Sequence, residues 1–194
     1  MRSSAKKKKT VWNPRGQGGA PSRLVLSGGL LQIFGLGVII TGHSGIGKSE
    51  SALELISRGH RFISDDAVEV TRTKGGGLVG RSPVLSRYFM EIRGLGIINI
   101  RAIFCPRAIC RESKVDLVIW LKKWQKGDEY DRLGMEFPAD FEILGVKIPQ
   151  LIVPVAPGRT IALLIEVACK VHQLRKKGYH ASREIVKKLD RALS

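Results

Sequence analysis

The sequence predicts an α/β fold over residues 24–194, with a mixed sheet and two C-terminal helices. Three observations carry that prediction. Apolar runs of strand length alternate with amphipathic stretches of helical period. One buried run, Gly37–Thr41, leads straight into a glycine-rich loop and then into a helical pattern. Strands and helices interleave without the strict rhythm of repeated βαβ units, which argues against an all-parallel sheet.

The elements follow in order. Residues 1–23 hold seven of the 33 Lys and Arg, no acidic residue and no periodicity, as a disordered basic tail does. Folded structure is expected to begin near Leu24. Leu30–Phe34 reads as one strand and Gly37–Thr41 as a second, buried one. Ser49–Arg58 reads as a helix with Ala52, Leu53, Leu55 and Ile56 on its apolar side, stopped by Gly59. Arg61–Ser64 is a short strand ending at Asp65-Asp66. Val68 and Val70 alternate into the turn Gly75-Gly76-Gly77, which predicts a hairpin returning through Leu78-Val79. Val115–Leu121 is a further buried strand, and Lys147–Val155 an extended segment closed by Pro157-Gly158. Helices are predicted from Thr160 to Lys176 and from Ser182 onward, the second with Ile185, Val186, Leu189 and Leu193 along one side.

Composition narrows the class. A chain of 194 residues, 43% hydrophobic, suits one domain with a substantial core. Beyond the tail, 26 basic residues still face 17 acidic ones, a balance that favours anionic partners such as phosphates or an acidic protein. No interleaving of aromatic and basic residues supports nucleic-acid binding. Cys105, Cys110 and Cys169 lack metal-ligand spacing and read as reduced thiols of a cytoplasmic protein. Leu24–Ile40 is apolar but glycine-rich and too short for a membrane span.

The chemistry concentrates in Gly42-His43-Ser44-Gly45-Ile46-Gly47-Lys48-Ser49, a P-loop in its proper setting between a buried strand and an amphipathic helix. Its glycines let backbone N–H groups and the helix N-terminus face a nucleotide's phosphates. Lys48 should reach the β- and γ-phosphates of ATP, and Ser49 should ligate Mg2+. Asp65 and Asp66 follow 17 and 18 residues after Lys48. They fit either a division of labour between metal binding and proton acceptance, or a helix cap or solvated turn. Glu91–Asn99 fits a strand edge close to a ligand, or a purely structural strand. Arg107, Arg132 and Arg159 are candidates to stabilise a transferring phosphoryl group, or ordinary surface arginines. His43 either borders the γ-phosphate or points outward. His43, His60, His172 and His180 are too scattered for a metal site.

Taken together, these segments resemble the catalytic C-terminal domain of the bifunctional HPr kinase/phosphorylase, over roughly Leu30–Leu193. The resemblance rests on Ile33-Phe34-Gly35-Leu36-Gly37, Ser44–Glu50, Arg58-Gly59-His60-Arg61, Asp65–Glu69, Glu91–Asn99, Asp131-Arg132-Leu133-Gly134 and Val153–Arg159. It implies the P-loop kinase fold of the HPr kinase/phosphoenolpyruvate carboxykinase-like type. It also implies an enzyme that phosphorylates a serine of the phosphocarrier protein HPr. The reverse reaction is phosphorolysis giving pyrophosphate, and the family acts as a homohexamer in carbon catabolite repression.

By the same resemblance, Lys48, Asp66 and Arg132 are catalytic, Asp66 as the base toward the serine hydroxyl. Ser49 and Glu91 serve Mg2+, with Asp65 a further candidate. The segment Met90-Glu91-Ile92-Arg93-Gly94-Leu95-Gly96-Ile97-Ile98-Asn99 serves both reactions, and Val153-Pro154-Val155-Ala156-Pro157-Gly158 chiefly dephosphorylation. The chain departs from the family at three places. Ser27 stands where a catalytic histidine is expected, His43 stands where an acidic residue is usual, and the basic tail occupies the place of an N-terminal regulatory domain. These departures keep open a catalytically impaired nucleotide-binding regulator of the same fold, or a kinase with another substrate.

Overall fold

The computed structural model describes residues 22–125 and 138–193; residues 1–21 of the expected basic tail and the candidate Arg132 lie outside them. The first half of the chain forms β1 (Arg23–Ser27), β2 (Gly29–Ile33), β3 (Leu36–Gly42), α1 (Lys48–Ser57), β4 (Arg61–Ser64), β5 (Ala67–Arg72), β6 (Leu78–Arg81), β7 (Phe89–Ile92) and β8 (Gly96–Asn99). The second half forms α2 (Ile100–Phe104), β9 (Glu112–Lys114), β10 (Leu117–Lys123), β11 (Phe141–Ile143), β12 (Val146–Ile148), β13 (Gln150–Val155), α3 (Ile161–Lys176) and α4 (Ala181–Leu193).

A five-stranded sheet, ordered β13-β10-β3-β2-β4, is the centre of the molecule. Strands β13, β10 and β3 run parallel, while β2 and β4 pair antiparallel, so the sheet is mixed, as expected. Both of its faces are covered, which explains why its strands read as continuous apolar runs. Alternate residues separate the two sides. Leu31, Ile33, Val38, Ile40, Leu117, Ile119 and Leu121 pack against Ala52, Leu55 and Ile56 of α1 and Ala162, Ile165 and Cys169 of α3. Leu30, Ile39 and Val118 face the other way, onto Val68, Val70 and Leu78.

Those last three belong to a second sheet that the sequence does not announce, the antiparallel β1-β5-β6-β9. The molecule is therefore a three-layer stack of helices, mixed sheet and antiparallel sheet. At Gly37 the layers meet closely, since a Cβ there would collide with the Lys114 backbone carbonyl. Gly37 N–H also donates to Asp116 Oδ2 at 2.9 Å.

The hairpin expected around Gly75–Gly77 forms as β5–β6. Helix α3 ends before Gly178 (φ 87°) as predicted. Helix α4 forms with the predicted period, but none of its residues is buried. Ile185, Leu189 and Leu193 are 45%, 52% and 86% exposed. A polar cluster ties the helical layer to the sheet edge: Glu166 on α3 accepts from buried His60 Nε2 at 2.8 Å and pairs with exposed Arg58 at 3.1 Å. Partial burial pushes the Glu166 carboxyl up, but hydrogen bonds from His60 and Arg58 outweigh this and hold it below the usual carboxylate range.

Candidate active site

The P-loop leaves the C-terminal end of β3, in the middle of the mixed sheet. Gly42 has φ 151°, and a side chain there would come within 2.5 Å of the Leu121 carbonyl on β10. Gly45 and Gly47 adopt φ 75° and 97°, the left-handed conformation that glycine takes without steric cost. Gly47 is the residue preceding α1, and no side chain caps that helix. Its first backbone N–H groups are thus directed at whatever anion the loop encloses. Lys48 Nζ donates to the carbonyls of Gly42 (3.3 Å) and His43 (3.1 Å), which hold the ammonium over the loop.

The two aspartates stand at a corner where the chain passes from the mixed sheet to the antiparallel one. Ala67 N–H donates to the Asp65 carbonyl at 2.7 Å, and Asp66 takes φ 60°. This is a γ-turn with a non-glycine residue in the left-handed region, a strained conformation. Asp65 turns inward and is 5% exposed, whereas Asp66 is exposed. Neither Asp65 carboxylate oxygen has a hydrogen bond of good geometry, although the Ser49 hydroxyl and Lys48 lie close enough to act on it. Burial pushes the Asp65 carboxyl up to about 6, with Asp66 adding repulsion and Ser49 and Lys48 working against both. A buried, anionic, unpartnered carboxylate beside a P-loop Ser hydroxyl suits a hard cation. Among the described residues no three His, Cys, Asp or Glu side chains cluster as a metal cage. Mg2+, which relies on phosphate oxygens and water for most of its ligands, does not require one.

A second corner stacks on the first. Gly28, with φ 149°, donates its N–H to the Asp66 carbonyl at 3.1 Å. Ser27, exposed at the end of β1, pairs in register with Ala67, and its carbonyl accepts from Thr41 Oγ1 at 3.2 Å. Ser27 therefore lies beside the aspartate turn.

Glu91–Asn99 forms the hairpin β7–β8, with Met90 and Ile92 buried at 2% and 7% exposure against the helical core. Glu91 consequently faces outward. At the hairpin turn, an Arg93 Nη atom comes within 3.9 Å of where a Gly45 Cβ would stand. Among the described residues Arg93 is an arginine that reaches the phosphate loop, a position the sequence marks only as part of the longer segment. Asn99 acts locally, its side chain accepting from Ala102 N–H at 3.2 Å and capping α2. Arg107 lies exposed on the 3-10 turn Pro106–Ala108, next to β4. Arg159 Nη1 donates to the Pro154 carbonyl at 3.2 Å and braces the end of β13.

A cavity of about 620 Å³ adjoins the P-loop, of the size small-molecule sites have. His43, Ser44, Gly45 and Ile46 form one wall, and Val155, Ala156 and Pro157 another. His43 lines the cavity while remaining exposed. Lys123 and Gln125 complete the lining and are absent from the sequence-based candidates. The parallel register Leu121–Gly42 is the signal that finds them, because ligands of open α/β sheets bind at the carboxyl ends of neighbouring strands.

Comparison with known proteins gives a consistent result. Residues 20–189 match the family model described as HPr Serine kinase C-terminal domain. The HPr kinase/phosphorylase of Thermoanaerobacter sp. is 45% identical over 168 residues, covering 86% of this chain and 54% of that protein. The Caldicellulosiruptor bescii protein of the same name is 41% identical over 172 residues, or 89% and 55% of the two chains. The chain thus spans about half the length of the curated relatives it matches. A solved structure, the Hpr(Ser) kinase/phosphatase from Coxiella burnetii, superposes with a TM-score of 0.74 at 34% identity. That alignment covers 83% of this chain and 97% of the other.

Proposed function

The chain belongs to the HPr Serine kinase C-terminal domain family, and on that premise we propose that it phosphorylates a serine of HPr with ATP. We assign it the reverse reaction as well, in which inorganic phosphate attacks the phosphoserine and pyrophosphate leaves. The observation that carries this reading is the juxtaposition of P-loop and aspartate turn. A buried Asp65 without a hydrogen-bond partner of good geometry lies beside Ser49 and Lys48, and an exposed Asp66 lies one residue on.

Phosphoryl transfer asks for positioning and charge neutralisation more than for covalent catalysis. Lys48 and the first N–H groups of α1 hold the β- and γ-phosphates. Ser49, Asp65 and Glu91 are the groups to hold Mg2+, which when bound neutralises charge on those phosphates. Arg93 adds a second cation over Gly45, and Arg132 is carried over from the family as a further one. Asp66, projected by its strained turn, accepts the proton of the attacking serine hydroxyl and returns one in the reverse direction. Val155–Pro157 walls the cavity from the β13 side, and the segment Val153–Gly158 serves the dephosphorylation. HPr as protein partner, a homohexameric assembly, a cytoplasmic location and a role in carbon catabolite repression complete the proposal.

Ser27 supports a second reading, a nucleotide-binding regulator with impaired turnover. It stands beside the Asp66 turn where a histidine would add an ionisable ring, and a serine hydroxyl supplies no such charge. One experiment separates the two: incubate the protein with ATP, Mg2+ and purified HPr, and follow phosphoserine. Transfer supports the kinase; intact ATP binding without transfer replaces it with the regulator.

A further inference from the structure

The chain passes between the mixed sheet and the antiparallel sheet twice at the same place. Gly28 is the crossing between β1 and β2, and Asp65-Asp66 is the crossing between β4 and β5. The two lie side by side, because Leu30 of β2 pairs with Ser64 of β4, and Ser27 of β1 with Ala67 of β5. A backbone bond joins them directly, from Gly28 N–H to the Asp66 carbonyl at 3.1 Å. Gly29 makes room for the neighbouring carboxylate, since a Cβ there would stand 3.7 Å from Asp65 Oδ1.

This double crossing sits on the strand that leads into the P-loop. A Cβ on Gly28 would come within 2.5 Å of the Ile40 carbonyl on β3, so the corner rests on the backbone of that strand. The β2–β3 ladder ends where Gly29 pairs with Ile40. One residue further, where the next rung would fall, half-buried Thr41 donates from Oγ1 to the Ser27 carbonyl at 3.2 Å. Gly42, the first residue of the P-loop, follows directly. The branched Cβ of Thr41 leaves its hydroxyl few rotamers, so β3 sets the direction of this bond. Support is needed here. Asp66 holds φ 60°, and a strained conformation of that kind persists only where its surroundings over-determine it.

We propose that Thr41 is a positioning residue for phosphoryl transfer: through Ser27 and Gly28, its hydroxyl sets where the Asp66 turn stands relative to the P-loop. The proposal rests on the reading of Asp66 as the base. In this role Thr41 touches neither the phosphates nor the acceptor. It fixes the spacing between two strand ends, one at Gly42, where the donor's phosphates are bound, and one at Asp66, where the serine hydroxyl loses its proton. Transfer is sensitive to that spacing, because a displacement of about 1 Å in a reacting group can cost about 10²-fold in rate.

Thr41→Val removes the hydroxyl and keeps the branched shape, whereas Thr41→Ser keeps the hydroxyl. With ATP, Mg2+ and HPr, Thr41→Val should lower kcat by about tenfold while KM for ATP stays within about twofold. Thr41→Ser should recover most of that loss. A cycle with Asp66→Asn adds a readout that general damage to the site would not give. In that background Thr41→Val should cost nothing further, because the base it positions is gone. Amide hydrogen exchange of the full chain is read independently of turnover. The Gly28 and Ala67 amides should exchange about two- to fivefold faster in Thr41→Val, the worth of one hydrogen bond, with the amides of α1 unchanged. If Thr41→Val does not fold, Thr41→Ala, which also lacks the hydroxyl, takes its place. A wild type that transfers nothing to HPr refutes the kinase reading, and the exchange comparison then still decides whether Thr41 holds the Asp66 corner. Wild-type kcat in Thr41→Val, a loss that falls on KM instead, an equal loss in the Asp66→Asn background, or unchanged exchange at Gly28 and Ala67 overturns the proposal.

Discussion

Replacing Asp65 with Asn should make the ligand-free protein more stable, and the gain should grow with pH. Folding raises this carboxyl from its ordinary value of 3.8 to about 6. The folded state therefore binds the proton more tightly than the unfolded chain. Stability supplied by the protonated group is fully present below pH 3.8 and is lost as pH rises through about 6. Integrated over that window, the ionised carboxylate costs roughly 1–2 kcal/mol at pH 5 and about 3 kcal/mol at pH 8. Asn keeps the shape without the charge, so Asp65→Asn should recover most of those amounts. In a domain of this size the recovery corresponds to a rise in Tm of roughly 6–12 °C at pH 8, and roughly half that at pH 5. Thermal unfolding of both proteins at the two pH values measures it. Adding Mg2+ with ATP should narrow the difference, because only the wild type offers the carboxylate. A variant no more stable than wild type at pH 8, or a gain equal at both pH values, would refute the reasoning.

Three further outcomes follow from the geometry. Asp66→Asn should retain ATP binding by equilibrium dialysis while its rate of HPr phosphorylation falls by about 10²–10⁴, the usual worth of a positioned base. Gly37→Ala should destabilise by about 3 kcal/mol or more in urea unfolding, since its Cβ would collide with backbone at Lys114 rather than with a movable side chain. Glu166→Gln should cost about 1–3 kcal/mol near neutral pH by weakening the bonds to His60 and Arg58. Because the Glu166 carboxyl is held low, its contribution is present above pH 4.5 and fades as pH falls further, so the variant and wild type should converge in acid.

The sequence disclosed those parts of the molecule whose signals are local. Gly42–Ser49 carries its loop geometry in its own glycines, and the strands flanking it are apolar on both faces because both faces are buried. The second sheet is harder to foresee for a physical reason. Strand β1 alternates between exposed and half-buried, and its partner β5 lies beyond α1 in the chain, so nothing within Arg23–Ser27 marks it as a strand. Likewise the segment Glu91–Asn99 can be read as a strand edge near a ligand. Its folding back as a hairpin that brings Arg93 to Gly45 depends on how Met90 and Ile92 seat in the core. For α4 the period is legible, but its apolar side meets solvent. A repeat of 3.6 announces an interface without saying where the partner is.

The cavity beside the P-loop joins residues 43–46 to Lys123, Gln125 and residues 155–157. During synthesis the phosphate-binding turn leaves the ribosome early, yet it lacks its far wall until β13 has emerged and paired with β10. The cavity is thereby tied to completion of the sheet, so a nascent chain has no such pocket before nearly the whole mixed sheet exists.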